Sequence, residues 1–274
     1  MARTRTFLPA LLATSALLVA GCGSDAEDAI APRLSEAADQ GATEADACEA
    51  SGEITVAAAA SLTEAFTEIG EQLEADCEGS EITFTFDSSG KLSEQILSGA
   101  PIDVFASADE ANAEKVAELA VGTPETFARN RLAIVTKPGN PEGIETLADL
   151  ADAGVVALCA EDAPCGTFAA EALQAAGVSI DESTVTRGEN AKGTLTAVSE
   201  GDAVAGIVYV TDAAAAADRV ATVEIPDDQN VTATYPVVVI EGPGDDDLAD
   251  AFVARLQTEA AQDVLAAAGF LGPS

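Results

Sequence analysis

Short apolar runs alternate along this chain with longer stretches whose apolar residues recur at helical spacing. Residues 54–59 form a run of the kind expected for a parallel strand covered on both faces. Residues 81–86 alternate apolar and polar. Further strands are predicted at 102–105, 131–136, 155–158, 184–186, 203–209, 220–225 and 235–240. Helices are predicted from Ser61, from the spacing Leu92, Ile96, Leu97, over 109–119, through Leu173 and through Val198. Two more, 246–257 and 259–268, close the chain before Gly269. Strand followed by helix, repeated almost throughout, predicts a doubly wound α/β architecture.

The junctions between strands and helices carry the chemistry. Ser61 follows the first strand at the position of an N-cap, and Glu64 three residues on completes a capping box. Such a junction leaves unpaired backbone N–H groups and the positive end of a helix dipole at the carboxyl edge of a strand, which favours an anion. The arrangement recurs at Asp87-Ser-Ser-Gly-Lys91, at Ala163-Pro-Cys-Gly-Thr167 and at Gly188-Glu-Asn-Ala-Lys-Gly193. Four helix starts rich in small residues, split between two halves of the chain, suit a ligand held between two lobes. A simple cap is the competing reading of each serine.

The remaining composition narrows what that ligand can be. The chain has 274 residues, 12 basic and 48 acidic, for a net charge of −36. Arg3 and Arg5 precede an apolar stretch too short to span a bilayer, and Val19-Ala-Gly-Cys22 resembles a bacterial lipobox. Residues 1–21 are therefore expected to be a lipoprotein signal peptide. Cys22 is expected to carry the lipid, tethering the protein to the outer face of the cell membrane. Residues 22–47, rich in Ala, Asp and Glu without aromatics, are expected to be a disordered acidic tether. Without the signal segment the balance is 10 basic against 48 acidic residues, net −38, a sign that excludes nucleic acid as a partner.

Zero histidines remove the Ser–His–Asp triad, the commonest general base and most metal-ligand sets. No protein–metal bond is expected, and no cofactor. Ser88-Ser-Gly-Lys91 matches the S-x-x-K of serine acyl-enzymes, with Ser88 as nucleophile and Lys91 as its base, but the partner motifs S-D-N and K-T-G do not occur. Four cysteines remain after Cys22, in an oxidising context. Pairing local neighbours gives Cys48–Cys77 and Cys159–Cys165. What the sequence does support is a neutral site made of N–H and O–H donors. A fully deprotonated tetrahedral oxyanion offers only acceptors and suits it, whereas a protonated phosphate would also need an acceptor.

Ala57-Ala-Ala-Ala-Ser61-Leu-Thr, the Ser88-Ser89 turn, Gly99-Ala-Pro-Ile-Asp-Val-Phe-Ala-Ser-Ala-Asp109 and Gly206-Ile-Val-Tyr209, in that order, resemble the periplasmic molybdate-binding proteins of ABC transporters. The resemblance covers residues 52–270. It implies a two-lobed periplasmic-binding-protein fold of type II with the ligand in the cleft; the order of elements itself suggests lobes of 48–130 with 226–274 and of 131–225, with a hinge where the chain crosses near Arg131 and near Tyr235. It implies ligand donors at Ser61, Ser89, Cys165, Ala191 and Tyr209, the cysteine and alanine through backbone N–H. Pro164-Cys-Gly166 departs from the family's Pro-Ala-Gly pattern at a backbone donor, where the change is tolerated. The implied protein is a monomeric, extracytoplasmic, lipid-anchored binder. It takes molybdate, and tungstate with it, to a membrane permease and catalyses nothing. Sulfate or another oxyanion is the near alternative. Asp87, beside the serines, would have to point away from an anion, and Asp103 is expected to be a structural acceptor.

Overall fold

A computed structural model describes residues 48–274. The signal segment, Cys22 and the acidic tether lie outside the described residues. The elements alternate as the patterning predicts. They are β1 (Gly52–Ala59), α1 (Thr63–Asp76), β2 (Ser80–Asp87), α2 (Ser89–Leu97), β3 (Val104–Ala106), α3 (Glu110–Lys115) and β4 (Ala120–Thr136). Then come β5 (Val156–Cys159), α4 (Pro164–Ala175), β6 (Val185–Gly188), α5 (Ala191–Ser199), β7 (Ala205–Tyr209) and α6 (Val210–Ala215). The chain ends with β8 (Ala221–Glu224), β9 (Thr232–Ile240), α7 (Asp246–Leu256) and α8 (Glu259–Ala267).

The strands lie in the order β2-β1-β3-β9-β4-β7-β5-β6, with β8 beside β4. β1 pairs in parallel with β2 and β3, and β5 pairs in parallel with β6 and β7. Antiparallel pairing is confined to the middle, where β4 and β9 join two half-sheets. The long strand β4 changes partner along its length: Ala120 to Arg131 pair with β9, and Leu132 to Thr136 pair with β7. Both half-sheets are covered on two faces. In β1, Ile54, Val56 and Ala58 face the core containing Phe66, Ile69 and Phe252 of α1 and α7, while Ala57 faces Leu92 and Ile96 of α2. In the second half, Ala157 and Val208 pack with Leu195 and Val198 of α5, and Val156, Leu158 and Ile207 pack in the cluster that contains Ala169 and Leu173 of α4. Burial on both faces is why these strands read as apolar runs.

Two expectations change. β4 starts at Ala120, well before the predicted 131. Gly122, with φ +84°, and Pro124 punctuate its first part like a loop, yet pairing with β9 continues past them with two register shifts. The predicted helix 109–119 is only Glu110–Lys115 followed by a 3₁₀ turn at Ala117–Leu119.

Cys48 and Cys77 stand at disulfide distance with Cα atoms 4.8 Å apart, as do Cys159 and Cys165 at 5.8 Å. Among the described residues no helix is long and apolar enough to cross a membrane.

Asp103 is the polar clamp of the first half-sheet. Only 4% exposed, it accepts from Thr55 N at 2.7 Å through Oδ2 and from Gly244 N at 2.7 Å through Oδ1. Gly244 admits this approach because it lacks a Cβ, which would stand 2.6 Å from the carboxyl group. Asp103→Ala leaves two backbone donors without partners, each costing ~1–3 kcal/mol. The expected loss is about 2–4 kcal/mol in urea unfolding, with Asp103→Asn losing roughly half as much because one oxygen remains. Equal stability of the three proteins would remove the clamp from the account.

Candidate functional site

Five strands, β1, β2, β5, β6 and β7, deliver their carboxyl ends to one cleft, and each is followed there by a helix start. Ligands of open α/β sheets bind outside such strand ends, where neighbouring connections part to opposite faces. A small cavity of about 10 Å³ lies among them, lined by Ala59, Ala60, Ser61, Asp87, Ser88, Ser89, Ala108, Pro164, Cys165, Asn190, Ala191 and Tyr209. All five residues expected at the ligand are therefore in one wall-to-wall cluster, and all five are buried.

Ser61 does not cap α1. It lies within a 3₁₀ turn, Ala60–Leu62, that tightens the end of β1, and α1 begins at Thr63 with no side-chain cap. Its hydroxyl is instead 2.8 Å from the Tyr235 hydroxyl, and Glu64, expected to complete a capping box, binds Lys192. Ser88 does cap α2, accepting from Lys91 N at 3.4 Å, while Ser89 is the first helical residue. Ser89 Oγ accepts from Ala108 N at 2.9 Å. A backbone N–H cannot accept in return, so the Ser89 proton is left for another acceptor.

Cys165 and Ala191 sit in the first turns of α4 and α5, where backbone N–H groups have no intrahelical acceptor. Gly166 lets α4 start hard against the end of β5: a Cβ there would meet Ala160 O at 2.0 Å. Asn190 caps α5 by accepting from Gly193 N at 3.0 Å. Tyr209, the last residue of β7, is 2% exposed, and its hydroxyl has no hydrogen-bond partner. Burial pushes its pKa well up, so the phenol keeps its proton. An orphaned buried donor beside a cavity marks the place of an acceptor.

Asp87 stays in the cleft wall, but its Oδ1 accepts from Ser88 N at 2.7 Å and from Asn190 Nδ2 at 2.9 Å. The second contact crosses from the first half-sheet to the second. So do Lys91–Glu189 at 2.8 Å and Lys192–Glu64 at 2.6 Å. Gly90 completes the contact, since a Cβ there would stand 2.7 Å from Asp162 O. The cleft is closed. Lys91 is not disposed as a general base: its hydrogen bond to Glu189 is the main cause raising its pKa, and a base needs the opposite shift.

Four participants escaped the sequence reading: Asn130, Asn190, Tyr235 and the Glu64–Lys192 pair. Asn190 carried a legible signal, an Asn before a helix start. Tyr235 and Asn130 lie inside strands beside the expected hinge, and nothing in the sequence marked a role for them at the site. Among the described residues no cluster of Asp, Glu, His or Cys could hold a metal ion.

Asp212 is the one strained charge beside the site. It is fully buried in α6, neither oxygen receives a well-formed hydrogen bond, and Lys192 Nζ stands 3.5 Å from Oδ1. Burial raises its pKa from the ordinary 3.8 to about 6, against the lowering effect of Lys192 and with a smaller raising effect from Glu64. Between pH 4 and pH 6 the folded state therefore binds more protons than the unfolded one. Stability from this group falls as pH rises through that window, by up to ~1.4 kcal/mol per pH unit, and is level above it. Asp212→Asn is expected to gain stability relative to the parent from pH 4 to 6 and to hold that gain at pH 7. Parallel pH profiles of chemical unfolding would refute this.

Residues 54–271 match the family described as bacterial extracellular solute-binding protein. The chain is 38% identical over 266 residues to molybdate-binding protein ModA of Mycobacterium bovis, covering 94% of this chain and 96% of that one. It is 33% identical over 202 residues to molybdate-binding protein ModA of Escherichia coli K12, covering 70% and 78%. In structure it resembles the periplasmic molybdate-binding protein of Azotobacter vinelandii, with a TM-score of 0.73 at 22% identity over 81% of this chain and 100% of that one. With that match spanning nearly every described residue, and with strand ends converging on one closed cleft, the chain belongs to the bacterial extracellular solute-binding protein family.

Proposed function

We propose that this protein captures molybdate, with tungstate as an equivalent ligand, and delivers it to the permease of an ABC transporter. The observation that carries the reading is the unpartnered Tyr209 hydroxyl, buried beside the same small cavity as Ser61, Ser89 and the first-turn amides of α4 and α5. A tetrahedral oxyanion there would accept from the hydroxyls of Ser61, Ser89 and Tyr209 and from the backbone N–H groups of Cys165 and Ala191. Fixed dipoles suit this task because no countercharge has to be desolvated with the ion. Asp87, the one carboxyl in the wall, has Oδ1 occupied by two donors.

In this reading the lobes are 48–130 with 226–274 and 131–225, moving about the point where β4 changes partner. The contacts across the cleft hold the closed form that a permease would recognise. Cys22 would carry the lipid anchor, and the protein would act outside the cytoplasm as a monomer, with no reaction of its own.

Thermal unfolding with molybdate, tungstate, sulfate and phosphate in turn tests the assignment. A ligand at a thousandfold excess over Kd adds ~4 kcal/mol to native stability, so molybdate and tungstate are expected to raise Tm by several degrees. Stabilisation by sulfate alone would reassign the ligand, and no shift with any oxyanion would refute the reading. Loss of one hydrogen bond to a charged ligand costs ~1.5–3 kcal/mol, so Tyr209→Phe, Ser61→Ala and Ser89→Ala should each weaken molybdate binding by roughly ten- to a hundredfold. Calorimetric titration reads this directly.

A further inference from the structure

Behind Ser61 lies a chain of buried polar groups that the ligand cannot touch: Tyr235, Asn130 and Thr211, between 0% and 4% exposed. Its hydrogen-bond directions can be assigned. Asn130 Oδ1 accepts from Arg131 N at 2.9 Å, which fixes the amide so that Nδ2 faces the other way. Nδ2 then donates to Thr211 Oγ1 at 3.0 Å and to the Tyr235 oxygen at 3.4 Å. An amide nitrogen accepts nothing, so the Tyr235 proton must go elsewhere. Its well-formed partner is Ser61 Oγ, at 2.8 Å, whereas the neighbouring Tyr209 hydroxyl makes no well-formed hydrogen bond. Reversing that bond would give up the well-formed 2.8 Å bond as the place of the buried phenol proton, which is costly.

We propose that Asn130 and Tyr235 are positioning residues forming a one-way hydrogen-bond relay that fills the acceptor side of Ser61 and aims its hydroxyl proton into the cleft. Ala108 N does the same for Ser89 through a single bond. Each serine thereby has one of its two lone pairs filled and its own proton turned toward the cleft, which favours fully deprotonated oxyanions over ligands that bring a proton of their own. The specificity so assigned rests on the oxyanion reading above; the direction of the relay does not. Burial raises the Tyr235 pKa above its ordinary value, so the phenol keeps the proton the relay needs.

Titration of the full chain, of Tyr235→Phe and of Asn130→Asp with molybdate, sulfate and phosphate at pH 6 tests the specificity. Tyr235→Phe frees the second lone pair of Ser61 and lets its hydroxyl turn, so that it can accept a proton of dihydrogen phosphate. Molybdate affinity should fall at least tenfold while phosphate affinity holds or rises. Asn130→Asp should act in the same sense, because a carboxylate takes the Tyr235 proton and draws the Ser61 proton away from the cleft. An equal loss for every oxyanion, or no loss, would overturn the proposal. The chain has two tyrosines, so Tyr235 is alone in Tyr209→Phe. Infrared spectroscopy of that variant with ring-labelled tyrosine reads the C–O mode of Tyr235 without any ligand. A phenol that both donates and accepts supports the relay, and one that only accepts overturns it. If the parent binds none of the three anions, the oxyanion reading fails and the infrared result still decides the relay.

Discussion

On the proposed reading, a compact ion drawn out of water into a small closed cavity must have its hydration replaced by groups that are already in place, and the convergence of strand ends answers that constraint. Five strands bring their carboxyl ends to one line, so the helix starts that follow point unpaired amides at one spot. The hydroxyls are held just as firmly. Ser89 is pinned by Ala108 N, Ser61 by Tyr235, and Tyr209 by burial at the end of β7 against the Tyr235 ring at 5.9 Å. Little would have to reorganise for the proposed anion.

The contacts across the cleft serve a different purpose. Lys192–Glu64 and Lys91–Glu189 are partly exposed pairs, with glutamates 55% and 79% exposed, and such pairs add little stability each. Their value lies in register, because they form only when the two half-sheets meet at one angle. The Gly90–Asp162 approach and the Asp87–Asn190 hydrogen bond demand the same angle. Lys192 is the most connected of these groups, since it also offers the nearest cation to buried Asp212. The overall charge of −36 opposes anion approach, but salt screens it beyond ~8–10 Å, so capture depends on the local donors.

Legibility from the sequence followed locality. The strand ends were readable because burial on both faces writes apolar runs into β1, β5 and β7 and small residues into the turns that follow. Ser61 was found for a partly mistaken reason: a serine after a strand and three residues before a glutamate has the pattern of a cap, yet a 3₁₀ turn rotates it toward Tyr235 and Glu64 goes to Lys192. The early part of β4 was hidden because Gly122 and Pro124 spell a loop, and only β9, about a hundred residues away, makes it a strand. Tyr235 and Asn130 were hidden for the same reason. A polar residue inside a strand gains its meaning from what crosses above it.

Those hidden residues occupy a telling position. Asn130 and Arg131 are the last of the β4 residues paired with β9, and Leu132 is the first paired with β7. Tyr235 lies in β9, Ser61 follows β1, and Thr211 lies in α6 after β7. The polar chain from Thr211 through Asn130 and Tyr235 to Ser61 therefore bridges the two half-sheets where they join. A network buried there is expensive to leave half satisfied, so a shift of one half against the other acts directly on the group that orients the Ser61 hydroxyl. Placing the hydrogen-bond relay at the junction ties the donor geometry of the cleft to the closed arrangement of the sheet. A binding protein whose ligand must be held when closed and released when open is served by that coupling.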